Sequence, residues 1–262
     1  MSRITDAFRQ KNGQILIPFV TGGDPDVGTT ERLIVAMAEA GAGLIEIGIP
    51  FSDPIAEGPV IQAADERALS GGCTVDALFD MAARVSKDVS APLLFMTYYN
   101  PVFVYGVEKF TARCADSGIA GLIVPDLPFE ERRELSEVCR RRGLELISLI
   151  APTSGERIRR IASKAEGFLY CVSSLGVTGV RNELGNAAAQ MVKTAKEVTD
   201  ISCAVGFGIS TPDLVKEAAQ YGDAVVVGSA IVRRIAGFGT QPDMVEQVTE
   251  FVRTLTDALR NH

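Results

Sequence analysis

Histidine is nearly missing: the only one, His262, is the last of 262 residues. A Ser-His-Asp or Cys-His site and a histidine-ligated metal are therefore not expected. Acid–base chemistry has to rest on carboxylates, tyrosines or lysines. No apolar run approaches the ~18 residues of a membrane helix, so no span is expected. The opening stretch, MSRITDAFRQ, has no apolar segment and reads as lacking a secretory signal. Cysteine is sparse and odd in number. Cys73, Cys114, Cys139, Cys171 and Cys203 are widely spaced and read as reduced thiols of a cytoplasmic protein. Basic residues are outnumbered, and the net charge of −7 argues against nucleic acid or an anionic membrane as the main partner. It leaves room for a local, amide-lined anion site.

What is present is a strand–helix alternation. Short apolar runs read as strands over Ile15–Val20, Leu44–Ile47, Pro92–Thr97, Gly121–Val124, Glu145–Ile150, Phe168–Val172, Ile201–Val205 and Ala224–Val227. Helical patterns follow each of them, among them 59–70, 74–87, 107–117, 129–142, 154–164, 187–198, 211–219 and 244–260. The charged stretch 130–142 reads as a solvated outer face. Alternation implies parallel strands with right-handed crossovers. Eight units in this length predict an α/β fold, a (β/α)8 TIM barrel forming one domain over residues 1–262. An extra N-terminal helix over 3–12 and a short helix at Ala230–Arg234, after strand eight, complete it. A doubly wound sheet would carry its glycine loop after strand one, and Thr21-Gly22-Gly23-Asp24-Pro25 lacks that spacing.

One stretch stands out, EIGIPFSDPIAEGPVI from Glu46 to Ile61. Glu46 is a carboxylate inside the apolar run Leu44–Ile47. A buried, ionised carboxylate without a partner is costly, so Glu46 is paired, protonated or facing a cleft. The loop after it carries Ser52, Asp53 and Glu57. Glu46 and Glu57 then form a candidate acid–base pair. The plainer alternative is an edge-strand Glu46 in solvent and an ordinary polar loop.

A barrel keeps its site at the C-terminal strand ends. Tyr98, Tyr99 and Asn100 are expected to end strand three and Asp126 strand four. Val205-Gly206-Phe207-Gly208 and Val227-Gly228-Ser229 end strands seven and eight, where barrels often hold a phosphate. Gly176 and Gly179 flank Thr178 after strand six. These are either phosphate loops or ordinary turn glycines. Phe19, Tyr98, Ile123, Leu149, Phe168 and Tyr170 either fill the barrel core or line an apolar slot beside the phosphate.

The segments PFVTGGDPD (18–26), IEIGIPFSDPIAEGPVIQ (45–62), MTYYNPVF (96–103), PDLPFEE (125–131), GVTGVR (176–181), VGFGIS (205–210) and VGSAIV (227–232) resemble, in this order, the α subunit family of tryptophan synthase. The lack of tryptophan is compatible with that resemblance. It implies cleavage of indole-3-glycerol phosphate to indole and glyceraldehyde 3-phosphate, in tryptophan biosynthesis. It implies Glu46 as general acid and base, and Glu57 as the second carboxylate, near the indole N–H. Phe19, Tyr98, Ile123, Leu149 and Tyr170 would border the indole, and Thr178 would belong to a closing loop. Gly179, Gly208, Gly228 and Ser229 would take the phosphate. Asp53 and Pro54 would face a β subunit, in an α2β2 heterotetramer. No cofactor or metal is implied in this chain, the pyridoxal phosphate (PLP) belonging to the β partner. The family commonly has Asp where this chain has Glu57, a side chain longer by one C–C bond of ~1.5 Å.

Two other classes stand beside the lyase. One is a non-catalytic barrel that binds phosphorylated ligands and regulates a partner. The other is a barrel such as indole-3-glycerol phosphate synthase, which would show a strand-end lysine. The strands here offer none.

Overall fold

The strand–helix alternation closes into a ring. The computed structural model describes residues 2–10, 14–172, 181–206 and 208–260. The chain opens with α1 (Arg3–Gln10), β1 (Ile15–Thr21), α2 (Val27–Glu39) and β2 (Ile45–Gly48). Two helices, α3 (Pro59–Ser70) and α4 (Val75–Val85), lead to β3 (Leu93–Met96). Then come α5 (Tyr99–Tyr105), α6 (Val107–Asp116), β4 (Ile119–Ile123), α7 (Arg133–Arg141) and β5 (Glu145–Ile150). Next are α8 (Arg157–Ala162), β6 (Phe168–Val172), α9 (Arg181–Lys196), β7 (Ser202–Gly206) and α10 (Pro212–Ala219). The chain finishes with β8 (Ala224–Val227), α11 (Ser229–Phe238) and α12 (Met244–Arg260). The strands bond in chain order, all parallel, and β8 returns to pair with β1. The fold is the expected (β/α)8 barrel, with α1 as its extra helix.

Strand periodicity sorts side chains between two compartments. On β1, Ile15 and Ile17 face the barrel interior while Leu16 and Val20 pack under the helices. On β8, Ala224 and Val226 point inward, Val225 and Val227 outward. The interior is floored by α1, whose Ile4 and Phe8 are buried against it. Phe168 belongs to this floor, with its ring 5.9 Å from that of Phe8. It starts β6 and so lies away from the mouth. The helices bury the matching stripe. On α12, Val248, Val252, Leu255 and Leu259 recur at helical spacing and are buried. Starts are capped by Asp26, Thr74 and Thr211, each accepting a backbone N–H in the first turn.

Beyond shifted ends, two elements differ from expectation, α5 and α11. Strand three stops at Met96, and Tyr98–Asn100 open the unexpected α5 instead. The Asp126 carboxylate accepts the Tyr99 N–H at 2.9 Å, capping α5 from across the barrel rim, and Pro101 suits a first helical turn. Asp126 therefore lies in the turn after β4 rather than ending that strand. The helix after β8 is longer than the short one expected: α11 has ten residues and starts directly after Gly228.

Between β3, α4 and α6 sits an aromatic cluster. The Phe79 ring lies 5.7, 5.6 and 5.3 Å from those of Phe95, Tyr105 and Phe110, all edge-on. Phe79 is fully buried. Phe79→Ala is expected to cost about 3–5 kcal/mol, because a cavity remains where three rings met. Urea unfolding monitored by circular dichroism measures this. A cost under ~1 kcal/mol would mean that the cluster collapses around the gap.

Candidate active site

The inward periodicity of β2 decides where Glu46 goes. Leu44 belongs to the barrel interior and Ile45 and Ile47 to the outer compartment, so Glu46 points inward. It is 0% exposed, and neither carboxylate oxygen has a hydrogen-bond partner among the described residues. Burial alone pushes its carboxyl from the ordinary value near 4.5 up to about 8. The group is thus a neutral acid at pH 7. Of the three options the sequence left open, Glu46 is protonated and faces a cleft. The edge-strand alternative fails, because a closed barrel has no edge.

The cleft is a cavity of about 220 Å³ at the C-terminal end of the barrel. Glu46, Glu57, Phe19 and Tyr170 line it, together with Gly208, Gly228 and Ser229. Six strand-end or loop segments thereby bring one acid pair, an apolar wall and two glycine turns together. Two close approaches shape the aromatic wall. A Cβ on Gly48 would sit 2.6 Å from the Phe19 ring, and one on Gly206 would sit 2.9 Å from the Tyr170 hydroxyl. Only glycine leaves both rings their places. Ser229 opens α11 just after Gly228, so free backbone N–H groups of a first helical turn border the cavity.

Glu57 comes from the loop between β2 and α3 and is half-buried. Burial is the main reason that its carboxyl rises to about 7, with the charges of Asp65 and Asp126 adding to it. Its Oε2 has no hydrogen-bond partner among the described residues. The loop itself is clamped. The Tyr98 hydroxyl accepts the Ala56 N–H at 2.8 Å, and Gln62 donates to the Glu57 carbonyl at 2.9 Å. The Tyr98 ring also lies 5.3 Å from that of Phe51. From below, the buried Asp65 carboxylate receives the Phe51 N–H. Burial raises Asp65 to about 7 as well, with Asp24 adding to the rise. Asp24 is itself held by both arms of Arg67, at 2.8 and 2.7 Å.

Not every expected residue meets the cavity. Tyr98 acts on the loop instead, and Ile123 and Leu149 pack in the barrel interior beside Tyr170 without lining it. Thr178 and Gly179 lie outside the described residues. Asp53 is exposed and Pro54 half-buried, both on the outer side of the loop. The sequence reading missed Met96, Val226, Arg233 and Asp65. Each had a signal. Met96 follows Leu94, and Val226 follows Ala224, by one strand period. Arg233 is one helical turn after Ser229. Asp65 falls on the buried face of α3, beside Ala64 and Ala68.

The comparisons with known proteins agree among themselves. The family model described as tryptophan synthase alpha chain matches residues 6–260. The tryptophan synthase alpha chain of Synechocystis sp. is 47% identical over 256 residues, covering 97% of each chain. That of Lacticaseibacillus casei is 44% identical over 259 residues, 98% of this chain and 97% of its own. The crystal structure of tryptophan synthase subunit alpha from Legionella pneumophila superposes with a TM-score of 0.91 at 34% identity, covering 100% of both chains. A chain of the tryptophan synthase complex from Pyrococcus furiosus gives 0.83 at 36% identity, covering 92% of this chain and 97% of that one.

The raised Glu46 value has a consequence for stability. In the folded chain the carboxyl keeps its proton up to about 8, while the unfolded chain releases it near 4.5. Stability from this group is therefore lost as pH rises between those values. Glu46→Gln cannot titrate, so it should gain on the wild type over that window, by up to ~3 kcal/mol at pH 7. Denaturant unfolding at pH 5 and pH 8 checks this, and a difference that does not change with pH would show an ordinarily ionised Glu46.

Proposed function

The chain belongs to the tryptophan synthase alpha chain family, and from that premise we infer what its site does. It is a lyase subunit of tryptophan biosynthesis that cleaves indole-3-glycerol phosphate to indole and glyceraldehyde 3-phosphate. The observation that carries this reading is Glu46: a buried acid without a partner among the described residues, on the wall of a cavity that also holds Glu57 and two glycine turns. A pure binding protein gains nothing from such an acid, and natural proteins rarely leave one without a use.

The reaction is a retro-aldol cleavage and needs proton carriers. Glu46 gives its proton to C3 of the indole, which leaves the ring nitrogen with developing positive charge. Glu57, as carboxylate, faces that N–H and stabilises it. The C–C bond then breaks, its electron pair restores the aromatic ring, and the side-chain hydroxyl becomes the aldehyde. Its proton goes to Glu46, which ends as it began. The two values, about 8 and about 7, suit this division, the first group an acid and the second partly ionised near neutrality. Phe19 and Tyr170 offer the ring an apolar wall, while Ile123 and Leu149 back it. Gly208, Gly228 and Ser229, with Gly179, take the phosphate, and Thr178 belongs to the loop that closes over it. No lysine lines the cavity among the described residues, which disfavours a synthase of the same substrate.

The partner is a β subunit, and the assembly an α2β2 heterotetramer. The outer rim supports it. Ile55, next to Asp53 and Pro54, and Phe103 and Val104 on α5 are 81%, 67% and 75% exposed. Tyr98 links the two segments, since it starts α5 and holds the Ala56 N–H. A subunit seated there would press on the loop that carries Glu57. The PLP is expected in that subunit, and the compartment is the cytoplasm.

Indole release from indole-3-glycerol phosphate, with and without a β subunit, tests the reading as a whole. Glu46→Gln should lose nearly all turnover while it still binds substrate. More than about a tenth of wild-type kcat, a barrier change under ~1.4 kcal/mol, would remove Glu46 as the acid. Glu57→Asp examines the longer side chain separately. With the loop clamped for Glu, the shorter acid falls short of the ring nitrogen, and kcat in the complex should drop by about tenfold. An Asp variant equal to the wild type would show that the loop has slack.

A further inference from the structure

One cation on the cavity wall has no task in the scheme above. Arg233 lies on α11, one turn beyond Ser229, and lines the cavity. It is the only base there among the described residues, facing two acids, Glu46 and Glu57. Its neighbour Arg234 is committed elsewhere, with its guanidinium 3.4 Å from the Phe251 ring centroid and a bond to the Ala230 carbonyl. Arg233 is exposed and has neither an ion pair nor a hydrogen bond among the described residues. A long, charged side chain kept free beside a pocket is ready for a ligand of opposite charge.

Electrostatics says which ligand. The chain as a whole repels anions, at a net charge of −7. A phosphate entering this cavity also meets Glu57, which is partly ionised near neutrality. The first-turn N–H groups of α11 already favour a phosphate oxygen over a neutral hydroxyl, through partial charges alone. A guanidinium adds a full positive charge, and its attraction grows with the charge of its partner. Resting on the reading of indole-3-glycerol phosphate as substrate, we propose that Arg233 is a specificity-determining residue that pairs with the substrate phosphate. It selects the phosphorylated substrate over its dephosphorylated form. Gly208, Gly228 and Ser229 fix where the phosphate sits; Arg233 sets how much its charge is worth.

Calorimetry of the full chain with glycerol 3-phosphate, and with indole as a phosphate-free probe, tests this in the wild type, Arg233→Gln and Arg233→Lys. Arg233→Gln should weaken glycerol 3-phosphate about tenfold, as loss of one charge-assisted contact at an exposed site implies, and leave indole unchanged. Arg233→Lys should recover part of the loss. In the complex with the β subunit, KM for indole-3-glycerol phosphate should rise by a similar factor with kcat within about twofold. Added salt should weaken glycerol 3-phosphate binding less in Arg233→Gln than in the wild type. Wild-type affinity for glycerol 3-phosphate in Arg233→Gln overturns the proposal and leaves the lyase reading intact. Equal loss for indole and glycerol 3-phosphate also overturns it, by assigning Arg233 a structural role. A wild-type chain that forms indole but does not bind glycerol 3-phosphate overturns it too. A wild type that forms no indole with its partner overturns the lyase reading itself.

Discussion

Everything at this site depends on one unfavourable burial. Glu46 sits inside a closed ring of strands with no donor for either oxygen among the described residues. Leaving a carboxyl there is tolerable only when it is neutral, and that is what makes it an acid at neutral pH. The barrel has to supply the difference from elsewhere, through continuous strand pairing and a filled interior beneath. The floor made by Ile4, Phe8 and Phe168 keeps water away from the lower barrel. The upper end stays open because Gly48 and Gly206 let two rings stand aside. The same burial thus costs stability and keeps a proton on the cavity wall.

The second carboxylate is handled in the opposite way. Glu46 is fixed by strand pairing, Phe19 to Glu46 on one side and Glu46 to Leu94 on the other. Glu57 is on a loop whose position is set by tethers: Tyr98 at Ala56, Gln62 at the Glu57 carbonyl and Asp65 at Phe51. Tethers of this kind can be tightened or released from outside. The acids beneath add a constraint. Asp24 is neutralised by Arg67, but Asp65 is not, and Asp65 in turn acts on Glu57.

Much of this was legible in the chain. Eight apolar runs in alternation with helices led to the barrel, and five helix or strand ranges, among them Glu145–Ile150 and Met244–Arg260, fall where periodicity placed them. Glu46 was visible as a charge in a branched apolar run, because strand burial follows a period of two. The glycine turns after strands seven and eight were visible because their place in the ring follows from counting. α5 was not, because its cap is Asp126, 27 residues away, and capping of that kind has no local signature.

What the sequence determined by itself was therefore the fold and the carboxylate buried in β2, since both follow from local periodicity and from side-chain chemistry. Tertiary structure decided the rest. It made Tyr98 a clamp rather than a wall, withdrew Ile123 and Leu149 from the cavity, and put Asp65 under Glu57 and Arg233 on the wall. Those outcomes rest on distances between elements far apart in the chain. Such distances are set by how the barrel closes and how its loops pack; strand and helix period marks the side a residue faces, not the distant group it meets.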